Sequence, residues 1–349
     1  MRKWAPSTLK DSAVHIYYHL SEYISHRTSG MDYIHLLRSL GHGVTLDASD
    51  IPEVETAVLH DEPPLYDSLF ACNPALRSKR TIGLCVWENS LLAPGYRPPL
   101  RLVDEIWPPS RFSLASLIPH FPEAKVLPHL VRRVPPSAED VSRVKALLPG
   151  GRVFRFFSVI DAANPRKNLP GLLKAFLNVR KRLGDAVQLV VKQYRQSVDL
   201  SSLPGVVSLD GRMSDGEMAA LFILCDAYVS AHHAEGWGLG ISQAMAYGKP
   251  VAATAYSGNM DYMDERNSFP VPFTMVPVSE EMLRRVPAFT REMFWAEVDV
   301  EALASRMVQI AQGRVPEALP GLAAEICTRF GPETVGRRLQ ELLDERTER

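Results

Sequence analysis

His232-His233-Ala234-Glu235-Gly236-Trp237-Gly238-Leu239-Gly240-Ile241-Ser242-Gln243-Ala244-Met245-Ala246-Tyr247-Gly248-Lys249-Pro250-Val251 is the stretch on which the fold reading turns. The apolar run 227–231 just before it reads as a strand. Residues 240–247 read as a helix that Gly248 stops, and 250–254 as the next strand. Between strand and helix, Gly236, Gly238 and Gly240 let the backbone come close to a ligand. The first N–H groups of a helix lack partners within it, so they favour anions or sugar oxygens. Glu235 stands just before this loop, where a carboxylate can accept hydrogen bonds from sugar hydroxyls. Gln243, about two helical turns further on, is spaced to reach a second group of the same ligand, such as ribose hydroxyls.

The same alternation continues outward. Residues 152–159, 186–192 and 206–209 read as strands, and 169–183 and 218–224 as helices. Leu172, Leu173, Phe176 and Leu177 form the inner face of the longer helix. Earlier in the chain, 14–18, 44–46, 81–86 and 105–107 read as strands, and 31–40 as a helix. Strand–helix–strand spacing of this kind builds parallel sheets. Val134-Pro135-Pro136-Ser137 reads as a linker, followed by a helix over 138–148. The expected architecture is therefore α/β: two Rossmann-like parallel-sheet domains, 1–133 and 134–332, facing across a cleft. A last helix, about 333–349, is expected to pack back on the first domain. Open sheets of this type bind ligands beyond the carboxyl ends of their strands.

Bulk composition narrows the function classes. Among 349 residues, 39 Lys+Arg against 40 Asp+Glu give a net charge of −1, which argues against a nucleic-acid binder. Basic and acidic residues also balance up to Arg133, leaving only local patches such as Arg132 with Arg133. No apolar stretch reaches membrane-spanning length, and no apolar signal core follows Met1. Cys72, Cys85, Cys225 and Cys327 are scattered, which suggests reduced core thiols. These points lead us to expect a cytoplasmic protein, or one resting peripherally on the inner face of the cell membrane.

The stretch around Glu235 resembles the E-x7-E region of the large retaining glycosyltransferase family 4, of the bacterial envelope-polysaccharide type, with its GT-B fold. The resemblance extends over 156–176, with Asp161 and Arg166-Lys167-Asn168, and over 226–262, with Ser257-Gly258-Asn259-Met260-Asp261. Trp295-Ala296-Glu297-Val298-Asp299 also looks like a tail found among bacterial envelope-sugar transferases. The first half matches more weakly, at Ser29-Gly30, Glu88 and 104–112.

The resemblance implies a hexosyltransferase that moves sugar from a UDP- or GDP-linked donor to a glycan or lipid-linked glycan, retaining anomeric configuration and using no metal cofactor. It implies Glu235, Arg166 and Lys167 as the catalytic set, with the basic pair gripping the diphosphate. Donor contacts would come from Ser29 and Gly30 in the first strand–helix loop, and from Gly236, Trp237, Gly238 and Leu239. Gln243 stands where the family has its second Glu and loses a charge-assisted bond there. Gly211 and Arg212 would border the base pocket, and Glu88 would face the acceptor. The acceptor hydroxyl would attack on the leaving-group face. His232 and His233 are read equally well as structural or functional.

Missing motifs narrow the reading further. No Asp-x-Asp, Walker A loop or HExxH occurs, and Gly41-His42-Gly43 lacks the third glycine of a dinucleotide fingerprint. Glu297, Asp299 and Glu301 alternate like metal ligands but read as an exposed turn and helix start. Two alternatives stay open: a non-catalytic nucleotide-sugar-binding partner subunit, which Gln243 keeps in play, and another enzyme of the same fold, such as an epimerase. The oligomeric state is undetermined by sequence.

Overall fold

The computed structural model describes residues 13–47 and 53–345. It divides into two units. One takes the chain up to Leu130 and again from Arg329; the other is Val131–Thr328. The division falls just before the Val134-Pro135-Pro136-Ser137 stretch.

The first unit runs β1 (His15–Leu20), α1 (Ile24–Ser39), β2 (Gly43–Leu46), β3 (Thr56–His60), α2 (Tyr66–Cys72), β4 (Arg80–Gly83), α3 (Arg97–Leu100), β5 (Glu105–Ile106) and α4 (Arg111–Leu117). Its sheet has the order β2-β1-β3-β4-β5, and every pairing is parallel. β3 is a strand that the sequence reading missed. All five of its residues are buried, so it has no polar face to give a period of two.

α1 begins seven residues earlier than the pattern suggested, at Ile24 rather than Met31. Its first turns are rich in hydroxyl residues that hide the apolar period. Thr28 Oγ1 donates to Ile24 O at 2.8 Å and Ser29 Oγ to Ser25 O at 3.1 Å, so these side chains bond back onto the helix.

The second unit runs α5 (Ala138–Leu147), β6 (Phe154–Ile160), α6 (Leu169–Leu183), β7 (Val187–Gln193), β8 (Val206–Leu209), α7 (Asp215–Leu224), β9 (Ala227–Ser230), α8 (Leu239–Ala246), β10 (Val251–Thr254) and β11 (Phe269–Val271). These strands form a parallel sheet in the order β11-β10-β9-β6-β7-β8. The chain builds outward from β6 through β7 to β8, then crosses back to place β9 on the other side. The crevice between the carboxyl ends of β6 and β9 is therefore the topological switch point, where open α/β sheets take ligands.

Beyond the sheet come β12 (Phe273–Pro277), α9 (Glu280–Arg285), β13 (Phe294–Val298), α10 (Val300–Ala311) and α11 (Leu319–Phe330). β12 and β13 pair antiparallel. Glu297 thus lies on β13 rather than in a turn. Asp299 caps α10 by accepting the Glu301 and Ala302 N–H groups, and Glu301 sits in the first turn. α6 and α10 pack on the sheet through one buried cluster that includes Phe156, Leu172, Phe176, Leu189, Leu303 and Met307. Each large side chain there contributes roughly 1.5–3 kcal/mol by leaving water.

The last helix, α12 (Pro332–Asp344), belongs to the first unit. Gly336 brings it close to Leu36 of α1, and Gln340 Oε1 meets His42 Nε2 at 2.9 Å. Arg80 closes the end of α12 by donating to Leu342 O at 2.8 Å, Leu343 O at 2.5 Å and Glu345 O at 2.9 Å. No helix among the described residues is long and apolar enough to cross a membrane.

Candidate active site

The site assembles on the carboxyl side of the second unit's sheet. After β6 the chain turns through Asn164, whose side chain accepts from Arg166 N–H, into a short 3-10 turn at Pro165–Lys167. Asn168 follows with φ 50°, and its Oδ1 caps α6 by accepting from Gly171 N–H at 3.0 Å. This cap fixes where the preceding pair points. Arg166 O accepts from His233 N–H at 2.8 Å, which ties the turn to the segment after β9.

Glu235 meets both cations. Its Oε1 lies 2.5 Å from Lys167 Nζ and its Oε2 3.2 Å from Arg166 Nη1, while Arg166 Nη1 also donates to Ala234 O at 2.6 Å. The side chains of Arg166, Lys167 and Glu235 are 7%, 15% and 12% exposed, so water screens them weakly. Burial pushes the Glu235 carboxyl up, but Lys167 and then Arg166 outweigh it, and the pKa falls to about 2. Glu235 is thus an ionised carboxylate with both oxygens held, and the formal sum over the three side chains is positive.

The glycine loop is braced from behind. Glu235 N–H donates to Ser257 Oγ at 2.7 Å, and Gly258 N–H to Glu235 O at 2.9 Å. A Cβ on Gly258 would lie 2.1 Å from Gly236 O, so only glycine permits this approach. Tyr262 OH lies 2.8 Å from Trp237 O and 2.9 Å from Gly238 O, and Trp237 Nε1 donates to Ser242 Oγ at 3.0 Å. Gly238 takes φ 91° as the cap of α8. The Ile241 and Ser242 N–H groups turn back to Gly238 O, which leaves the first-turn N–H groups of Leu239 and Gly240 as the ones that helix geometry offers outward.

His232 and His233 are held in the framework. His232 Nε2 faces the acceptors Asn259 Oδ1 (3.1 Å) and Tyr256 O (3.3 Å), so it carries the hydrogen and Nδ1 accepts from Ser230 Oγ at 2.9 Å. Burial lowers its pKa to about 4 and keeps it neutral. His233 stacks on Trp295 with centroids 4.2 Å apart. Its Nδ1 donates to Ala296 O at 2.7 Å.

The structure thus brings Arg166, Lys167, Glu235, Gly236, Trp237, Gly238 and Leu239 together. Gln243 lies on α8, with its Nε2 donating to Arg132 O at 2.5 Å. That nitrogen is committed to the chain. Gly211 and Arg212 are exposed in the loop after β8, the edge strand, and Gly211 O accepts from the buried Lys192 Nζ at 2.6 Å. Glu88 lies half-buried in the loop after β4 of the first unit.

Ser29 and Gly30 require a correction. They lie inside α1, not in the first strand–helix loop, and both are buried. Ser29 Oγ is spent on Ser25 O and His26 O. A Cβ on Gly30 would sit 2.2 Å from Leu20 Cδ1, so this glycine serves the packing of α1 on β1. Helical backbone has no N–H to spare there for a phosphate.

The sequence reading included Ser257, Asn259 and Tyr262 in the stretch that carries the resemblance but gave them no role in bracing the loop. The one signal was the Ser-Gly pair after a strand, a turn dipeptide whose partner is out of reach in sequence.

Residues 153–272 match the family described as Glycosyl transferases group 1. The chain is similar in fold to HepE of Anabaena, solved in complex with UDP and glucose, at TM-score 0.67 and 14% identity over 96% of this chain and 100% of that one. It is also similar to a glycosyltransferase of Rickettsia africae, at TM-score 0.68 and 13% identity over 96% and 98%. The pneumococcal O-GlcNAc transferase GtfA, solved with UDP and GlcNAc, gives TM-score 0.58 and 14% identity over 91% of this chain. This chain spans only 60% of GtfA. Curated protein sequences give no match. At these identities the likeness is one of fold, and that fold is GT-B.

Proposed function

We propose that the chain moves a hexose-type sugar from a nucleoside-diphosphate sugar to a glycan or lipid-linked glycan with retention of configuration, a reading supported by the match of residues 153–272 to the Glycosyl transferases group 1 model. The observation that carries this reading is the near-buried triad of Glu235, Lys167 and Arg166 beside the glycine loop that starts α8. A uridine diphosphate donor is favoured by the UDP bound in HepE and GtfA.

In this reading the triad's net positive charge and the first amides of α8 face the diphosphate. Charge grows on that diphosphate as the anomeric bond breaks. Groups already fixed in place stabilise it without reorganising, which is where most electrostatic catalysis arises. Lys167 keeps two N–H groups beyond its bond to Glu235. Glu235 holds both cations in place and, as in the family, contacts the donor sugar. The acceptor hydroxyl attacks on the face the diphosphate leaves, and a diphosphate oxygen takes its proton. Lys167 and Arg166 supply the positive charge that the diphosphate needs.

The test is UDP release from UDP-hexoses by the purified chain, with and without a glycan acceptor. Glu235→Ala and Lys167→Ala, each shown to be folded by thermal melting, are expected to lose at least about a hundredfold in rate. Full transfer rates in both variants would sink the proposal. The partner-subunit reading rests on Gln243 replacing the family's second Glu, and it predicts nucleotide-sugar binding without turnover by the chain alone.

A further inference from the structure

The second unit has another carboxylate at the same switch point. Asp161 directly follows β6, as Glu235 follows β9, so the two acids flank the crevice where the strand order reverses. Both are nearly buried, but their partners differ. Glu235 has each oxygen on a cation. Asp161 has Oδ2 at 3.4 Å from Arg195 Nη1, the outer limit of a hydrogen bond, and its Oδ1 is buried with no hydrogen-bond partner among the described residues. A carboxylate oxygen left in that state is costly, and native proteins leave few of them without a functional reason.

The surroundings point to the ligand class. Tyr194 N–H donates to Ile160 O at 3.2 Å, which sets the Tyr194-Arg195 turn against the end of β6. The charges of Glu235, Arg166, Asp161 and Arg195 all act on the Tyr194 phenol, so the five side chains share one neighbourhood. Arg195 stands at φ 66° with its side chain half exposed, and its contact reaches Asp161 through Oδ2 rather than the buried Oδ1. An anionic acceptor repels phosphate and accepts from hydroxyl groups. We propose that Asp161 is a specificity-determining residue that accepts a hydroxyl hydrogen of the transferred sugar through Oδ1, while Glu235 is held by its two cations. The inference rests on the donor reading above.

Isothermal titration of the full chain with UDP, UDP-glucose, UDP-N-acetylglucosamine, GDP and GDP-mannose tests it. The wild-type chain comes first: binding of no nucleotide and no sugar nucleotide overturns the donor reading and this inference with it. For the sugar nucleotide that binds best, Asp161→Asn is expected to weaken affinity about tenfold or more, while affinity for the bare nucleotide changes less than about twofold. Arg195→Ala keeps the carboxylate and is expected to keep the preference for sugar nucleotide over nucleotide. Equal loss for both ligands in Asp161→Asn would assign the residue to the nucleotide or to the fold. No loss would mean that water satisfies Oδ1. A loss in Arg195→Ala matching that of Asp161→Asn would make the pair a tether for the turn. Each of these three results overturns the assignment to sugar without touching the donor reading.

Discussion

Lys167 and Glu235, 68 residues apart in sequence, form a near-buried ion pair with Nζ 2.5 Å from Oε1. The Asn168 cap of α6 fixes one end and the Ser257 and Gly258 hydrogen bonds fix the other. Pairs held this way resist loss of either partner, because the survivor is left charged and poorly hydrated.

The Glu235 pKa of about 2 against an unfolded value near 4.5 makes a pH prediction. The folded value is depressed, so the stabilisation is present above pH 4.5 and is lost as pH falls towards 2. Its full size is about 3 kcal/mol. Glu235→Gln is expected to destabilise by that order at neutral pH, and the gap to wild type should close on acidification through this window. Denaturant midpoints of both proteins across that range check it. A gap that stays constant would mean that the ion pair contributes no stability of its own.

Gly258→Ala is expected to damage the site more than the fold. Its methyl would meet the Gly236 carbonyl at 2.1 Å, and backbone has little room to give. Overpacking of this kind costs about 1–3 kcal/mol. The displaced loop carries Glu235 and the entry to α8, so nucleotide affinity should fall at least about tenfold even where the variant melts cooperatively. Titration with UDP beside a thermal melt reads both effects.

Much of the second unit was legible because its signals are local. The apolar runs 206–209 and 227–231 are short strands between turn residues, and 169–183 has a clean helical period with a glycine stop. The structure begins and ends those elements within a residue or two. β3 was not legible, since a strand buried on both faces shows neither alternation nor a long run. The early turns of α1 were hidden by hydroxyl residues whose side chains bond back onto the helix, and that error carried Ser29 and Gly30 into a loop they do not occupy. In the site, the Glu235 loop and the Arg166-Lys167 pair could be read from residue type beside a strand end. Ser257, Tyr262 and Asp161 fall within the stretches that carry the resemblance, but their roles could not be read, because these lie in contacts made after folding.

The first unit contains buried histidines that make a second pH prediction. His129 Nδ1 lies 3.0 Å from Tyr33 OH, and burial, then nearby His26, lowers its pKa to about 3. His60, fully buried beside Tyr18 and Ser29, is also lowered well below its ordinary value, first by burial. Both are neutral when folded and gain a proton on unfolding. Stability is therefore complete above pH 6.5 and lost as pH falls from there towards 3. His129 alone should cost about 2 kcal/mol between pH 6.5 and about pH 5. His129→Asn keeps an amide that can donate to or accept from Tyr33 OH and is expected to flatten that slope in pH-dependent melts; an unchanged slope would clear His129 of the effect.

Gln243 gives a structural reason for its departure from the family's second Glu. Its Nε2 donates to the Arg132 carbonyl at 2.5 Å, joining α8 to the segment that opens the second unit. A glutamate there has no hydrogen to donate and would set two acceptors face to face. Gln243→Glu is therefore expected to destabilise by about 1–3 kcal/mol. The new carboxylate must turn away from Arg132 O before it can reach ribose, so affinity for UDP should not rise. Thermal melting and UDP titration of the single variant decide it. A gain in turnover would show that position 243 faces the ligand and that the natural glutamine holds activity down, which is the outcome the partner-subunit reading requires.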